Sequence, residues 1–207
     1  MTSNIKVLIA DDHSVVRMGL ASLLGTAKNI EVVGEAVDGI DAVRKALRLR
    51  PDVVVMDLVM PHKDGIAATE EIRAAAPEVK ILILTTFGTS DDIARALSSG
   101  ATGAIMKSAT NRELLATVQA VAAGQRVVSA EIEGLMKNDP PLPELSQRQR
   151  EILDGISRGL TNKEIAVMLD ISLESVKSHV KIILEKLDAS SRTEAASIAT
   201  KKRLTPT

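Results

Sequence analysis

Residues 52–57 read Asp-Val-Val-Val-Met-Asp, four apolar residues enclosed by two carboxylates. Three of the four are β-branched valines, which favour a strand, and so short a run fits a strand better than a helix. A strand that is apolar on both faces needs a layer of helices on each side, which is the environment of a central strand in a parallel sheet. These six residues therefore indicate an α/β fold.

Four similar runs lie before and after this one, at residues 5–10, 31–35, 79–85 and 102–107. The segments between them place apolar residues at helical spacing, as in Val16, Leu20 and Leu23. Strands that alternate with helices are joined by crossovers and lie parallel to one another. We therefore predict an α/β domain over residues 1–125, with a doubly wound, five-stranded parallel sheet.

The next segment, residues 126–143, is predicted to be a linker. It ends in Lys-Asn-Asp-Pro-Pro-Leu-Pro, in which three of the last four residues are proline. Proline has no backbone N–H and cannot continue a helix, so this end should be stiff and extended. A short helix over residues 129–137 is expected to lead into it.

Residues 144–207 are predicted to form a small all-α domain. Ser146 with Gln149, and Thr161 with Glu164, have the spacing of capping boxes that begin helices. The predicted helices cover residues 147–157, 162–169, 173–187 and 193–200. Only three residues separate the second from the third, which is the short connection of a helix-turn-helix pair.

The composition excludes several classes of protein. The chain of 207 residues has no cysteine, which rules out disulfides and thiolate metal sites, and its apolar runs are too short to span a membrane. With neither a span nor a leader pattern at the start, we expect a cytoplasmic protein.

Phe87 is the only aromatic residue, so nucleic acid would not be bound by stacking bases on rings. The net charge of −1 hides a basic end, because 11 Lys and Arg face 8 Asp and Glu over residues 145–207.

Polar residues follow the predicted strands at the point where each strand ends. Asp11 and Asp12 end the first strand, Asp57 the third, Thr85 the fourth and Lys107 the fifth. Open parallel sheets bind ligands at this rim. Carboxylates that converge there would repel one another by up to about 4 kcal/mol per pair at 4 Å, and a hard divalent cation such as Mg²⁺ relieves that repulsion through oxygen ligands.

This set of residues suits phosphoryl chemistry. With a cation bound, Asp57 can act as a carboxylate nucleophile and form an aspartyl phosphate. The Thr85 hydroxyl and the Lys107 ammonium can then hold the phosphoryl oxygens. The alternative is that acids often end strands as turn residues. Five functional side chains at four strand ends favour the site.

The helix predicted from Leu173 onward has two different faces. Its apolar stripe includes Val176, Val180 and Ile183, and Lys177, Ser178 and Lys181 are rotated away from it. These polar residues could donate to phosphates and base edges in a major groove, with Lys163 of the preceding helix near a phosphate. The alternative is an ordinary amphipathic helix with a solvated face, and the capped tight turn before it favours the DNA-reading interpretation.

Residues 4 to about 125 resemble the receiver domains of bacterial response regulators. The resemblance rests on Asp11-Asp12, on Asp57 followed by Met60-Pro61 and Asp64-Gly65, and on Thr85 and Lys107. It implies a flavodoxin-like fold, Asp57 as phosphoacceptor, and Mg²⁺ held by Asp12, Asp57 and the Val59 carbonyl. It further implies that Asp11 acts through metal-bound water, that Thr85 is the switch hydroxyl, and that Lys107 binds phosphate.

The chain departs from the receiver pattern at several positions. Ala104 stands where many receivers have an aromatic switch residue, and Phe87 is the only ring nearby, where a packing role is equally compatible. Ser108 replaces the proline that commonly follows the lysine. His62-Lys63 replaces a small residue and Met, and His62 is expected to be a solvated loop residue rather than a ligand.

Residues 144 to about 200 resemble the LuxR-type helix-turn-helix domain, on the patterns Thr-Asn-Lys-Glu-Ile-Ala at 161–166 and Val-Lys-Ser-His at 176–179. Together with a receiver this is the architecture of the NarL/FixJ family of response regulators. The resemblance implies double-stranded DNA as partner, contacts from Lys177, Ser178 and Lys181, and a homodimer formed through the last helix when phosphorylated or DNA-bound. Gln149 stands where that family usually has Glu.

We therefore expect a two-component response regulator that a sensor histidine kinase phosphorylates, and not an enzyme beyond phosphoryl self-transfer and slow autodephosphorylation. A metal-dependent phosphohydrolase could use the same aspartate nucleophile, but no general acid or substrate motif is evident. A relay module whose helical end binds a protein is the third reading. Rapid release of phosphate from small phosphoesters would support the second reading, and absence of salt-sensitive duplex binding the third.

Overall fold

A computed structural model describes residues 4–86, 89–138, 141–142, 145–202 and 204. The chain divides into two compact units, residues 1–140 and 141–207. The expected helix–sheet alternation and the later all-helical segment are both present. Among the described residues, no helix is long and apolar enough to cross a membrane.

The first unit is a doubly wound sheet. Its strands are β1 (Ile5–Ala10), β2 (Ile30–Ala36), β3 (Val53–Met56), β4 (Lys80–Thr85), β5 (Gly103–Met106) and β6 (Val127–Val128). Their spatial order is β2-β1-β3-β4-β5-β6, and every neighbouring pair is parallel. The helices are α1 (Ser14–Leu24), α2 (Gly39–Leu49), α3 (Gly65–Ala75), α4 (Ser90–Ser98), α5 (Asn111–Ala122) and α6 (Ala130–Asn138).

Helices cover both faces of the sheet, and β3 shows why. Its side chains alternate between two separate apolar clusters, with Val54 and Met56 in one and Val53 and Val55 in the other. All four residues are buried. The prediction that residues 52–57 form a central strand is confirmed.

The predicted count of five strands is wrong by one. The sixth strand, β6, has only two residues, and it pairs Val127 with Gly103 and Val128 with Ala104 of β5. A two-residue strand is too short to show periodicity, so no sequence pattern could indicate it. It lies in the segment predicted to be a linker, as does α6, whose Ile132 is fully buried in the apolar cluster that contains Ala104.

The second unit consists of α7 (Gln147–Ser157), α8 (Asn162–Met168), α9 (Leu173–Lys186) and α10 (Arg192–Lys201). Ser146 and Thr161 form complete capping boxes with Gln149 and Glu164, as predicted. Asp170 takes a left-handed φ of 51° in the turn between α8 and α9. A single apolar cluster includes buried residues from all four helices, among them Ile152, Ile165, Ile183 and Ala195.

Candidate functional site

The carboxyl ends of β1 and β3 bring two carboxylates together. The backbone N–H of Asp57 donates to the Ala10 carbonyl at 2.8 Å, so Asp57 follows β3 beside the residue that precedes Asp11. Asp11 is 1% exposed and Asp57 is 6% exposed. Buried carboxylates are unfavourable unless they are paired. The two aspartates therefore need a cationic partner.

Lys107, directly after β5, is that partner. Its ammonium nitrogen lies 2.6 Å from Oδ2 of Asp11 and 2.8 Å from Oδ2 of Asp57. Burial raises the pKa of Asp57, and the hydrogen bond from Lys107 opposes this rise only in part. Burial lowers the pKa of Lys107, but the hydrogen bonds to Asp11 and Asp57 outweigh it and leave the pKa raised. The lysine stays charged, while Asp57 holds a proton more readily than a solvated aspartate.

Thr85 is the last residue of β4, and Lys107 directly follows the neighbouring strand β5. The carbonyl oxygen of Thr85 accepts from the backbone N–H of Lys107 at 2.8 Å. Thr85 is 1% exposed, and its side-chain hydroxyl has no hydrogen-bond partner among the described residues. A buried polar group without a partner calls for an explanation, and a ligand that accepts the bond is one.

Four side chains could hold a metal ion. One ligand atom each from Asp11, Asp12, His13 and Asp57 can be chosen so that all lie within 4.8 Å of one another. Three of the four donors are carboxylates, which are the ligands of hard divalent cations, so this donor set fits such a cation. Val59, whose backbone carbonyl is a predicted ligand, is 53% exposed.

His13 was not predicted as part of the site. Its Nδ1 lies 2.8 Å from Oδ1 of Asp12 and 3.3 Å from Oδ1 of Asp11. In the sequence, only the position of His13 immediately after Asp11-Asp12 could have indicated it. His62, by contrast, lies outside the acidic cluster, with its Nδ1 3.0 Å from Oδ2 of Asp38.

The remaining departures from the receiver pattern also have structural settings. Ala104 is fully buried, and its carbonyl oxygen accepts from the backbone N–H of Ser129 at 3.0 Å. The Ser108 hydroxyl donates to Glu131 of α6 at 3.2 Å, so the residue after Lys107 contacts the last helix of this unit. Phe87 lies outside the described residues.

The predicted DNA-reading helix, α9, has the expected two faces. Val176 and Ile183 are fully buried, and Lys177, Ser178 and Lys181 are exposed. Lys177 pairs with Glu174 at 2.8 Å, and Lys181 lies 3.9 Å from Glu185. Both are exposed pairs within one helix and hold the lysines only weakly, so a polyanion can compete for them.

The preceding helix, α8, is held by a residue that the sequence did not reveal. Arg192, the first residue of α10, donates to Oδ1 of Asn162 at 2.8 Å and also to the Leu160 carbonyl. Burial lowers the pKa of this guanidinium. Arg192 thus fixes the turn that starts α8, and Lys163 is exposed one residue further on.

The two units define a class of protein. A doubly wound sheet with an acidic rim and a partly buried lysine, followed in the same chain by a helix-turn-helix unit, is the architecture of a two-domain regulator. Residues 7–119 match the family of response regulator receiver domains, and residues 143–199 match the luxR family of bacterial regulatory proteins. The chain therefore belongs to the two-domain response regulators with a LuxR-type helix-turn-helix, which regulate transcription.

Individual relatives are similar to this chain over nearly its whole length. The transcriptional regulatory protein LiaR of Bacillus subtilis is 40% identical over 208 residues, covering 97% of this chain and 99% of LiaR. The crystal structure of ChrA, a response regulator of a heme-sensing two-component system, is 39% identical with a TM-score of 0.59, covering 99% of this chain and all of that one. A complex of the response regulator RcsB with DNA is 25% identical with a TM-score of 0.69, covering 96% and 98% of the two chains.

Proposed function

We propose that Asp57 is the phosphoacceptor of this response regulator and that a histidine kinase is the donor. The observation that carries the proposal is Lys107 Nζ within 2.8 Å of both Asp57 and Asp11 in a nearly buried pocket. A carboxylate oxygen of Asp57 forms the O–P bond while the N–P bond of a phosphohistidine breaks. The electron pair of the broken bond returns to the imidazole, which takes up a proton from solvent.

The neighbouring side chains match the charge of the product. The phosphoryl group carries about −1.5 to −2 charges at neutral pH, in place of the single carboxylate charge of Asp57. Lys107 is already within hydrogen-bond distance of Asp57, and the hydroxyl of Thr85 has no partner among the described residues. We propose that the ammonium and the hydroxyl each donate to a phosphoryl oxygen. Recruitment of Thr85 would pull on the segment that follows β4.

Mg²⁺ is the proposed cofactor, held by Asp12, Asp57 and the carbonyl of Val59, with Asp11 acting through bound water. When bound, it neutralises the acidic rim and withdraws charge from the phosphoryl oxygens. The chain's own contribution is to fix these carboxylates, since Asp11 accepts from the backbone N–H of His13 at 2.8 Å and Asp57 is anchored through its own N–H to Ala10.

We propose double-stranded DNA as the ligand of the second unit, read by α9. Lys177, Ser178 and Lys181 form an exposed polar face, and Lys163 of α8 adds a further cation. Because RcsB shares this fold and its structures include dimers bound to DNA, we propose that this chain also binds DNA, with a homodimer forming on phosphorylation or on DNA. A protein that acts on the chromosome by this route would work in the cytoplasm.

The test is labelling with acetyl phosphate and Mg²⁺. We expect about one equivalent of acid-labile phosphate on the wild-type chain and none on Asp57→Asn. Label that persists on Asp57→Asn would place the phosphoacceptor elsewhere. Slow loss of that single equivalent agrees with a regulator that only dephosphorylates itself, whereas continuous turnover of small phosphoesters would support a phosphohydrolase.

A further inference from the structure

We propose that His13 makes the acidic pocket a mixed nitrogen and oxygen site, which binds Co²⁺ and other d-block divalent cations in preference to Mg²⁺. This inference rests on the proposed function, because it assigns a further ligand to the same pocket. What it adds is a greater selectivity for d-block cations than three carboxylates alone provide.

His13 occupies the N-cap position of α1 but does not cap the helix. Its backbone is extended, with φ −85° and ψ 111°, and its side chain makes no capping hydrogen bond. Nδ1 instead lies 2.8 Å from Oδ1 of Asp12, on the side of the acidic pocket. The side chain is 68% exposed, so few contacts resist a rotation of the ring that would bring either nitrogen onto a bound ion.

The donor atoms are close enough to share one ion. All four lie within 4.8 Å of one another. Opposite ligands of an octahedral Mg²⁺-sized ion, at about 2.1 Å from the metal, are about 4.2 Å apart. Small adjustments of the exposed His13 and Asp12 side chains would therefore bring both into one coordination sphere with the buried Asp57.

Metal chemistry then separates the cations. Mg²⁺ prefers oxygen and releases its water reluctantly, so it gains little from a nearby imidazole. Imidazole is a good ligand for Zn²⁺, Cu²⁺, Ni²⁺ and Fe²⁺, and the affinity of mixed nitrogen and oxygen sites rises from Mn²⁺ through Co²⁺ to Cu²⁺. His13 should therefore strengthen binding of the d-block ions and leave Mg²⁺ binding nearly unchanged.

The experiment is calorimetric titration of the untagged, full-length chain with CoCl₂ and separately with MgCl₂. His13→Gln removes the imidazole and keeps a polar side chain at an exposed position. We expect the Co²⁺ dissociation constant to rise at least about tenfold and that of Mg²⁺ to change by less than about twofold. The visible absorption bands of bound Co²⁺ should also shift when the nitrogen ligand is lost.

His62→Gln is the matched control, because His62 has the same side-chain exposure of 68% in the same unit and pairs with Asp38 outside the pocket. It should change neither affinity. Unchanged Co²⁺ affinity in His13→Gln, or an equal loss of Co²⁺ and Mg²⁺ affinity, would overturn the assignment of His13. Mg²⁺ affinity that is unchanged in Asp57→Asn would instead contradict the proposed function, so the two failures can be told apart.

Discussion

A methyl group added at Gly65 would lie 2.0 Å from the carbonyl oxygen of Asp57. Gly65 begins α3, and its N–H donates to the Leu58 carbonyl at 2.9 Å, so the chain turns back directly against the proposed phosphoacceptor. No side chain larger than hydrogen fits this approach. The position of Asp57 in the pocket therefore depends on a residue that takes no part in the chemistry.

Gly65→Ala should slow phosphorylation. The new methyl group must push the backbone of Asp57 or Leu58 aside, and displacement of a reacting group by about 1 Å can cost up to about 100-fold in rate. We expect labelling by acetyl phosphate to slow at least tenfold, measured as acid-labile phosphate over time. Gly19→Ala in α1 is the control, since a methyl group there meets nothing within 4 Å. Labelling of Gly65→Ala at the wild-type rate would show that the loop adjusts without moving Asp57.

Asp57→Asn should stabilise the first unit at neutral pH. Because the folded-state pKa of Asp57 is raised by burial, the unfolded chain ionises first as the pH increases. The free energy of unfolding of the wild-type chain therefore falls as the pH rises from the ordinary pKa of 3.8 through the raised pKa. Near pH 3.8 and below, ionisation of Asp57 no longer lowers it. Melting without divalent cations should show the variant a few degrees more stable at pH 7, with the difference shrinking in acid. A gain that stays constant down to pH 4 would contradict this cause.

The double variant Lys177→Ala with Lys181→Ala should weaken DNA binding and make it less sensitive to salt. Each lost phosphate contact removes about 0.9 from the slope of log affinity against log salt concentration. We expect the slope to fall by up to about 2, measured by fluorescence anisotropy on a duplex selected from genomic DNA. Lys28→Ala, an exposed lysine of the first unit, should leave the slope unchanged. An unaltered slope in the double variant would remove α9 from the DNA interface.

Gln149 should stabilise the second unit through its amide oxygen. That atom accepts from the Ser146 backbone N–H at 3.0 Å and from Lys186 Nζ at 3.1 Å, so one buried side chain joins a helix cap to α9. Gln149→Ala should lower the free energy of unfolding of the second unit by about 1 to 2 kcal/mol. Gln149→Glu keeps an oxygen that can accept both hydrogen bonds, so it should retain or raise that free energy. Amide hydrogen exchange within α7 measures both effects. Equal protection in all three proteins would mean that these bonds contribute nothing.

Much of the fold followed from local patterns. The apolar run at residues 52–57 indicated a central strand, and the common direction of parallel strands was enough to bring Asp57, Asp11 and Lys107 to one rim. The capping boxes were equally local, because each depends on two residues three positions apart.

Other features could not be predicted because they depend on contacts between distant residues. Arg192 binds the turn before α8 from 30 positions away, and no spacing rule links those residues. The His13 side chain lies beside Asp11 and Asp12 and makes no capping hydrogen bond to α1. A sequence alone does not show this orientation. The strand β6 is too short to carry a pattern.

The pairing of β6 with β5 also matters for anyone who isolates the first unit. Cut at residue 125, the protein would lose Val127, Val128 and the buried Ile132 together. Backbone N–H and C=O groups of β5 would then be unpaired at the edge of the sheet, beside apolar residues that Ile132 no longer covers. Such an edge favours strand-to-strand aggregation. A fragment that ends after α6 keeps β6 paired with β5 and keeps Ile132 buried.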